Sequence, residues 1–192
     1  MSKPEMAEKW LIQLTQKLAL GDQRALKPLI LHFSPSLHRF AYGMVGNEPE
    51  AEEIVSAVFV KLWAQHHQLP PAGAFKYYLY KAVRNTALNY MKRNNRRGAG
   101  HYKWEVLVRS SGTPTPEDFL ITKENLLSIR NAIQALPPRC QEIFCLVKEE
   151  GLSYAEVASL LDISVATVNV QITIALKKIW AALEPVLQLP AS

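Results

Sequence analysis

The chain has 192 residues, a net charge of +5, and 48% hydrophobic against 20% charged residues. That composition excludes a disordered or collagen-like chain and suits one domain or two small ones. The opening Met1-Ser-Lys-Pro-Glu lacks an apolar signal core, and no apolar run approaches membrane-spanning length. A cytoplasmic protein with no membrane insertion is therefore expected. Cys140 and Cys145 would point about 140° apart around one helix, so two buried thiols are expected and no bridge.

In chain order, Lys9 to Leu20 reads as an amphipathic helix with Trp10, Leu11, Leu14 and Leu18 on one side and Gly21 as its stop. Asp22 can cap a second helix through Phe33, and Pro35 opens a third that ends at Gly46. Asn47-Glu48-Pro49-Glu50 is a helix start: a capping side chain, a proline in the first turn, then acids at the positive end of the macrodipole. The helix it opens carries Ile54, Val55, Val58, Phe59, Leu62 and Trp63 as its apolar stripe and runs to about Gln65. Pro70-Pro71-Ala72-Gly73 breaks the chain before the next helix.

From Ile54 to Trp104 there is no Asp or Glu, while Lys61, Lys76, Lys81, Arg84, Lys92, Arg93, Arg96, Arg97 and Lys103 fall inside that span. A solvated surface ordinarily mixes both signs, so a one-sided run points to an anionic partner. Its densest part, Phe75 to Arg97, reads as a helix with Phe75, Leu79, Ala82, Val83, Thr86 and Tyr90 toward a core. The opposite arc carries Tyr77, Lys81, Arg84, Asn85, Asn89 and Lys92, with Leu88 intruding. Cations suit phosphates, amides suit base edges and rings suit stacking, so a nucleic-acid strand is the expected partner. A merely solvated basic helix would carry Glu at i,i+4, and this one carries none.

Gly98-Ala-Gly and Ser110-Ser-Gly-Thr-Pro-Thr-Pro116 mark a stretch poor in core residues, read as an interdomain linker. Thr115-Pro116-Glu117-Asp118 caps a new helix, in which Leu126, Ile129, Ile133 and Leu136 form the apolar stripe before Pro137-Pro138. A further helix runs from about Arg139 to Glu150, ended by Gly151. Ser153 and Glu156 form a capping box opening a short helix with Val157, Ala158, Leu160 and Leu161 inward. Asp162-Ile163-Ser164 is a tight turn, and a longer helix starts at Val165. Two helices about a three-residue turn, with small Ala158 where they must approach, make a helix-turn-helix whose second helix would enter the DNA major groove. Val168, Ile172, Ala175, Leu176 and Ile179 are expected inward; Ala166, Thr167, Asn169, Val170, Thr173, Ile174 and Lys177 outward. The fold expected is all-α: two small helical domains joined by a flexible linker, the second a helix-turn-helix. Residues 1–97 form the first, 98–115 the linker and 116–192 the second.

These regions together resemble an extracytoplasmic-function sigma factor of RNA polymerase, from Trp10 to Leu183 apart from the linker. Ala19-Leu-Gly-Asp22, Pro35-Ser-Leu-His-Arg-Phe-Ala41, Glu50-Ala-Glu-Glu-Ile-Val55 and Phe59-Val-Lys-Leu-Trp63 follow the landmarks of the family's promoter-melting domain. Phe75 through Ala82-Val-Arg-Asn-Thr-Ala87 with Lys92-Arg93 resembles its minus-ten helix. Leu136-Pro, Glu142-Ile-Phe, Gly151-Leu-Ser-Tyr-Ala-Glu-Val-Ala158, Ile163-Ser, Thr167-Val168 and Ala175-Leu-Lys-Lys178 resemble its minus-thirty-five reader.

The resemblance implies a subunit that binds core RNA polymerase and directs promoter recognition, melting and initiation, with no cofactor, no metal and no catalysis of its own. Glu53, Ser56, Ala57 and Val60 would dock on the polymerase. Lys76, Tyr77, Tyr78, Lys81, Arg84, Asn85, Asn89, Lys92 and Arg93 would hold the melted strand, helped by the loop His66 to Gly73. Ser164, Ala166, Thr167, Asn169, Val170, Thr173, Ile174 and Lys177 would face the upstream duplex. The expected partners are core polymerase, promoter DNA as duplex and melted strand, and an anti-sigma factor, with a monomer when free.

Five positions depart from the family pattern. Ser56-Ala57 replaces a Gln and an acid at the docking helix, Val170 and Ile174 replace polar or basic residues on the recognition face, and Tyr78 replaces a Trp. Apolar side chains can meet thymine methyls but make no hydrogen bonds to guanine or phosphate. A degenerate sigma-like protein, or a helix-turn-helix regulator acting through a protein partner, is the alternative reading. An enzyme is disfavoured. His32, His38, His66, His67 and His101 have no metal-ligand spacing, and there is no phosphate-cradling glycine loop or nucleophile elbow.

Overall fold

Helix-forming stripes and their stop signals produce eight α-helices, with no strand among the described residues. The computed structural model describes residues 3–93 and 123–187, with side chains for 9–93 and 128–184. The predicted linker, Arg97 and the cap at Thr115 lie outside those residues. Two compact units result, Met1–His101 and Tyr102–Ser192.

In the first unit α1 spans Lys3–Ala19, α2 Leu26–Val45, α3 Glu48–Ala64 and α4 Ala72–Arg93. A 3-10 turn at Gln23–Ala25 precedes α2 and another at His66–Gln68 precedes α4. α1 begins six residues before the predicted Lys9, at a Pro-Glu pair suited to a helix's first turn. Asp22 caps the first 3-10 turn, accepting from the Arg24 amide at 3.0 Å. The Arg24 side chain also bonds that carboxyl and holds it below the usual carboxylate range.

The expected break at Pro35 does not occur: α2 runs unbroken through it. A mid-helix proline costs about 3 kcal/mol. Here Leu29, Phe33, Leu37 and Phe40 are all buried as one stripe spanning the proline, and each such side chain contributes about 1.5–3 kcal/mol on burial. Packing therefore outweighs the local penalty. Gly46 ends α2 at φ 70°, its amide bonded to the Tyr42 carbonyl. Asn47 then caps α3 through Glu50 N at 3.1 Å, as its sequence indicates. α2, α3 and α4 pack on one another, and α1 lies against α2, α4 and both 3-10 turns.

The second unit is built on its last helix. α5 spans Lys123–Gln134, α6 Pro138–Lys148, α7 Tyr154–Leu161 and α8 Val165–Leu187, and α8 packs on each of the other three. Gln141 donates to the Ile133 carbonyl at 3.1 Å, tying α6 to α5. Cys140 and Cys145 are buried free thiols. Burial pushes the Cys140 thiol's pKa up, which keeps it protonated and unreactive. Its Sγ reaches the Gln171 carbonyl at 3.3 Å.

The two-way capping box is formed: Ser153 N donates to Glu156 Oε2 at 2.7 Å, and Glu156 N to Ser153 Oγ at 3.2 Å. Asp162 turns the chain in the left-handed region at φ 56°, ψ 52°, a conformation Asp tolerates better than most residues. α7 and α8 then meet at 109°, within the range of a helix-turn-helix.

Arg139 braces this corner. Its Nη1 lies 2.7 Å from the buried Glu142 carboxylate and its Nη2 donates to the Leu161 carbonyl, at the end of α7, at 3.2 Å. Arg139→Ala removes a charge-assisted partner from a buried acid. It should lower the stability of this unit by about 1–3 kcal/mol, read as a shifted urea midpoint of the intact chain with an unchanged slope.

Candidate nucleic-acid interface

On α4 the inward positions are Phe75, Leu79, Tyr80, Val83 and Ala87. The expected inward set is corrected at three places, since Ala82, Thr86 and Tyr90 are only half-buried while Tyr80 and Ala87 take core sites. Tyr80 packs edge-on to Phe40, ring centroids 5.2 Å apart. Phe75 tilts on Phe33 at 5.9 Å. The Thr86 hydroxyl turns back to the Ala82 carbonyl at 2.9 Å, which lets a polar residue sit at the edge of the core.

The outer side of α4 carries the cations. Lys81, Asn85, Asn89, Lys92 and Arg93 are exposed, and Lys76, Tyr77, Tyr78, Arg84 and Leu88 are half-buried. Lys81 Nζ stands 5.7 Å from the Tyr77 ring centroid, a cation–π arrangement that keeps the ring and the charge together. Amides, rings and positive charge therefore share one surface, and α4 itself supplies no acid to neutralise it.

Where the sequence predicts a loop, the residues before α4 form the 3-10 turn His66–Gln68. Its His66 ring stacks on Trp63 at 5.0 Å and 20°, and Nδ1 lies 2.8 Å from the Trp63 carbonyl. The i,i+3 spacing of Trp63 and His66 was the signal available for this contact. No group of three His, Cys, Asp or Glu that could hold a metal occurs among the described residues.

On α3, Glu53, Ser56, Ala57 and Val60 are all exposed, and their spacing places them on one helix face. Val60 is 68% exposed. Beside this face a groove of about 640 Å³ runs between α2 and α3, lined by Ile30, Pro35, Val55, Phe59, Val60 and Trp63 among others. Sequence periodicity gave no sign of it, because a groove depends on how two helices splay.

In the second unit Val168, Ile172, Ala175 and Ile179 are buried, as expected, but Leu176 is 47% exposed. It lies at the edge of the buried stripe, where α5, α6 and α7 do not cover it, next to a Trp180 that is 60% exposed. Ser164, Ala166, Thr167, Asn169, Val170, Thr173 and Lys177 are exposed, and Ile174 is half-buried. Three of the hydroxyls serve the helix itself. Ser164 Oγ accepts from Thr167 N at 3.0 Å and contacts Thr167 Oγ1 at 2.8 Å, and Thr173 donates to the Asn169 carbonyl at 2.9 Å. The face thus presents the amide of Asn169 and the charge of Lys177 around Val170, which is 54% exposed.

Comparison with known proteins agrees with both units. Residues 29–97 match Sigma-70 region 2 and residues 126–179 match Sigma-70, region 4. The RNA polymerase sigma-H factor of Pseudomonas aeruginosa is 26% identical over 185 residues, covering 92% of this chain and 95% of that protein. The ECF RNA polymerase sigma-E factor of Escherichia coli K12 is 25% identical over 184 residues, covering 91% and 95%. Among solved structures, CnrH in complex with the cytosolic domain of CnrY shares the fold at a TM-score of 0.52 and 21% identity, covering 92% of this chain and 98% of that one. The sigma factor RpoE of Bartonella quintana, solved with the anti-sigma factor NepR, gives a TM-score of 0.50 at 20% identity, covering 82% and 96%. With both sigma regions present in order along one chain, and relatives matched over nine-tenths of its length, the protein belongs to the extracytoplasmic-function sigma factors of RNA polymerase.

Proposed function

We propose that this sigma factor divides its work between the two units as their exposed residues suggest. It binds core RNA polymerase and directs promoter recognition, DNA melting and initiation. The chemistry of polymerisation stays with the polymerase, and the chain acts in the cytoplasm as a specificity subunit. The observation that carries this reading is the acid-free outer face of α4, where Lys81, Asn85, Asn89, Lys92 and Arg93 are exposed beside Tyr77 and Tyr78.

Melting requires a surface that prefers a separated strand to a duplex. Lys76, Lys81, Arg84, Lys92 and Arg93 supply phosphate contacts, Asn85 and Asn89 supply amides for base edges, and Tyr77 and Tyr78 supply rings. Stacking a base on an aromatic side chain is worth about 1–3 kcal/mol, comparable to the few kcal/mol needed to extrude it. Rings placed among cations therefore hold an opened strand but gain nothing from bases still stacked in duplex.

Upstream, the start of α8 enters the major groove. The methyl groups of Ala166 and Val170 suit thymine, and Asn169 suits adenine, so an A·T-leaning element is the expected target. Polymerase docks on Glu53, Ser56, Ala57 and Val60, where Ser56 and Ala57 remove polar contacts and Val60 with the adjoining groove supplies apolar area instead. An anti-sigma factor is a further partner. It is supported by the two related structures, which were solved with CnrY and NepR.

Run-off transcription with core polymerase on a random promoter library tests the reading as a whole. Start sites sharing two upstream elements support it, and silence without polymerase binding overturns it. Lys81→Ala with Arg84→Ala should weaken promoter binding and reduce its salt slope by about one to two, measured by titration at several salt concentrations. Ile174→Arg should tighten upstream duplex binding and steepen its salt slope by about one. Unchanged duplex affinity with weakened association with a protein partner would instead assign that face to the partner.

A further inference from the structure

The far end of α8 carries an apolar patch that its own unit leaves uncovered. Trp180 is 60% exposed and Leu176 47%. With Lys177, Ile179, Ala181 and Glu184 they line a shallow recess of about 450 Å³. Lys177, Ala181 and Glu184 are exposed as well. Aromatic side chains are enriched at the centre of protein–protein interfaces, and charged ones are confined to the rim. A tryptophan between a lysine and a glutamate on an open helix face has that layout.

The spacing of these residues decides what fits them. Val170, Thr173, Lys177, Trp180 and Glu184 recur at steps of three and four, so they share one side of α8. Lys177 and Glu184 lie outside the three- and four-residue spacings at which side chains of one helix pair. Neither has an ion-pair partner among the described residues. Trp180 and Ala181 stand midway between them. A twofold axis between Trp180 and Ala181, with two copies of α8 antiparallel, sets each Lys177 opposite the partner's Glu184 and each Trp180 opposite the partner's Ala181. Opposite charges then meet at both ends, and a large ring meets a small residue at both central positions. A parallel pair would bring like charges together instead.

From this self-complementarity we infer that the Trp180 face of α8 is where two copies of the chain associate, in place of the monomer expected from the resemblance. Two turns of helix offer less than the about 800 Å² per partner of a stable interface, so the dimer is weak and forms at high protein concentration. Lys177 also ends the row of residues proposed to face the upstream duplex. A partner helix laid along Lys177 and Trp180 covers that lysine. Resting on the reading proposed for α8, the second copy and the upstream duplex therefore compete for one side of the helix, and self-association withholds that side from DNA.

The test is sedimentation of the full chain, alone, over a range of concentrations. Its average mass should rise from monomer toward dimer as concentration increases. Trp180→Ala should weaken association about tenfold or more, as loss of a central aromatic does. Lys177→Glu alone and Glu184→Lys alone should each weaken it, because like charges then face each other. An equimolar mixture of those two variants, or both changes in one chain, should restore it, which a folding defect in either variant would not allow. A chain that stays monomeric at every concentration overturns the proposal. So does a dimer indifferent to Trp180→Ala, or one that the complementary mixture fails to restore. A monomeric parent whose Trp180→Ala variant loses core polymerase would assign the patch to polymerase instead. A duplex carrying the upstream element of a promoter enriched in the transcription selection should return the dimer to monomer at saturation, and a dimer that persists on bound duplex refutes the competition. If monomeric Trp180→Ala binds no such duplex, the upstream reading of α8 fails, while sedimentation of the parent and the charge-swapped mixture still decides the pairing.

Discussion

Phe75, Leu79, Tyr80, Val83 and Ala87 hold the inner face of α4 against its neighbours, and whatever the outer face does depends on that anchorage. A helix with cations on one side and no acids at i,i+4 forgoes ion-pair support worth about 0.2–0.5 kcal/mol per pair and takes on like-charge repulsion of similar size. Burial of the Phe75, Leu79 and Val83 side chains, at about 1.5–3 kcal/mol each, outweighs those terms several times over. The outer face is thereby freed from any duty to stabilise its own helix, and its residue types can answer to a partner.

Most of the fold was legible because it rests on patterns repeated along the chain. The caps at Asn47 and Ser153, the stop at Gly46, the turn at Asp162 and the all-α class follow from residue types at fixed offsets, and the structure bears them out. The errors arose where a local rule met a long-range one. Pro35 carries a local breaking signal, but buried side chains on either side of it keep α2 continuous. On α4 the apolar spacing predicts Ala82, Thr86 and Tyr90 inward, whereas the structure buries Tyr80 and Ala87 and leaves those three half-buried. A helix facing two neighbours buries a wider arc than one apolar stripe describes, and an aromatic ring such as Tyr80 can be claimed from the margin. Leu176 shows the opposite error, an apolar residue at the margin that no neighbour covers.

The candidate site was legible as chemistry but not as geometry. Lys81, Arg84 and the asparagines announce an anionic partner because charge and periodicity are both carried by the sequence. The bracing of Leu161 by Arg139 and the seating of His66 on Gly21 join residues 22 and 45 positions apart in the chain, and no periodicity encodes such pairs. Both are nonetheless what turns a set of residue types into a surface. Arg139 fixes the corner from which α8 projects, and His66 fixes the turn from which α4 starts.

The distribution of charge also distinguishes the two helices. α3 opens with Glu48, Glu50, Glu52 and Glu53, and α4 closes with Lys92 and Arg93. Each set complements the macrodipole of its own helix, so the arrangement costs neither helix stability. The acids repel a phosphate backbone from the end of the unit where Glu53 and Ser56 lie, while the acid-free α4 attracts it. Like-charge exclusion of this kind discriminates between partners more strongly than it adds to the affinity for either. Ser56 and Ala57 carry no charge, and the groove next to Val60 adds apolar area beside them without adding a cation. Under the proposed division of work, a protein on α3 and a nucleic-acid strand on α4 would be sorted by the sign of the field each helix presents.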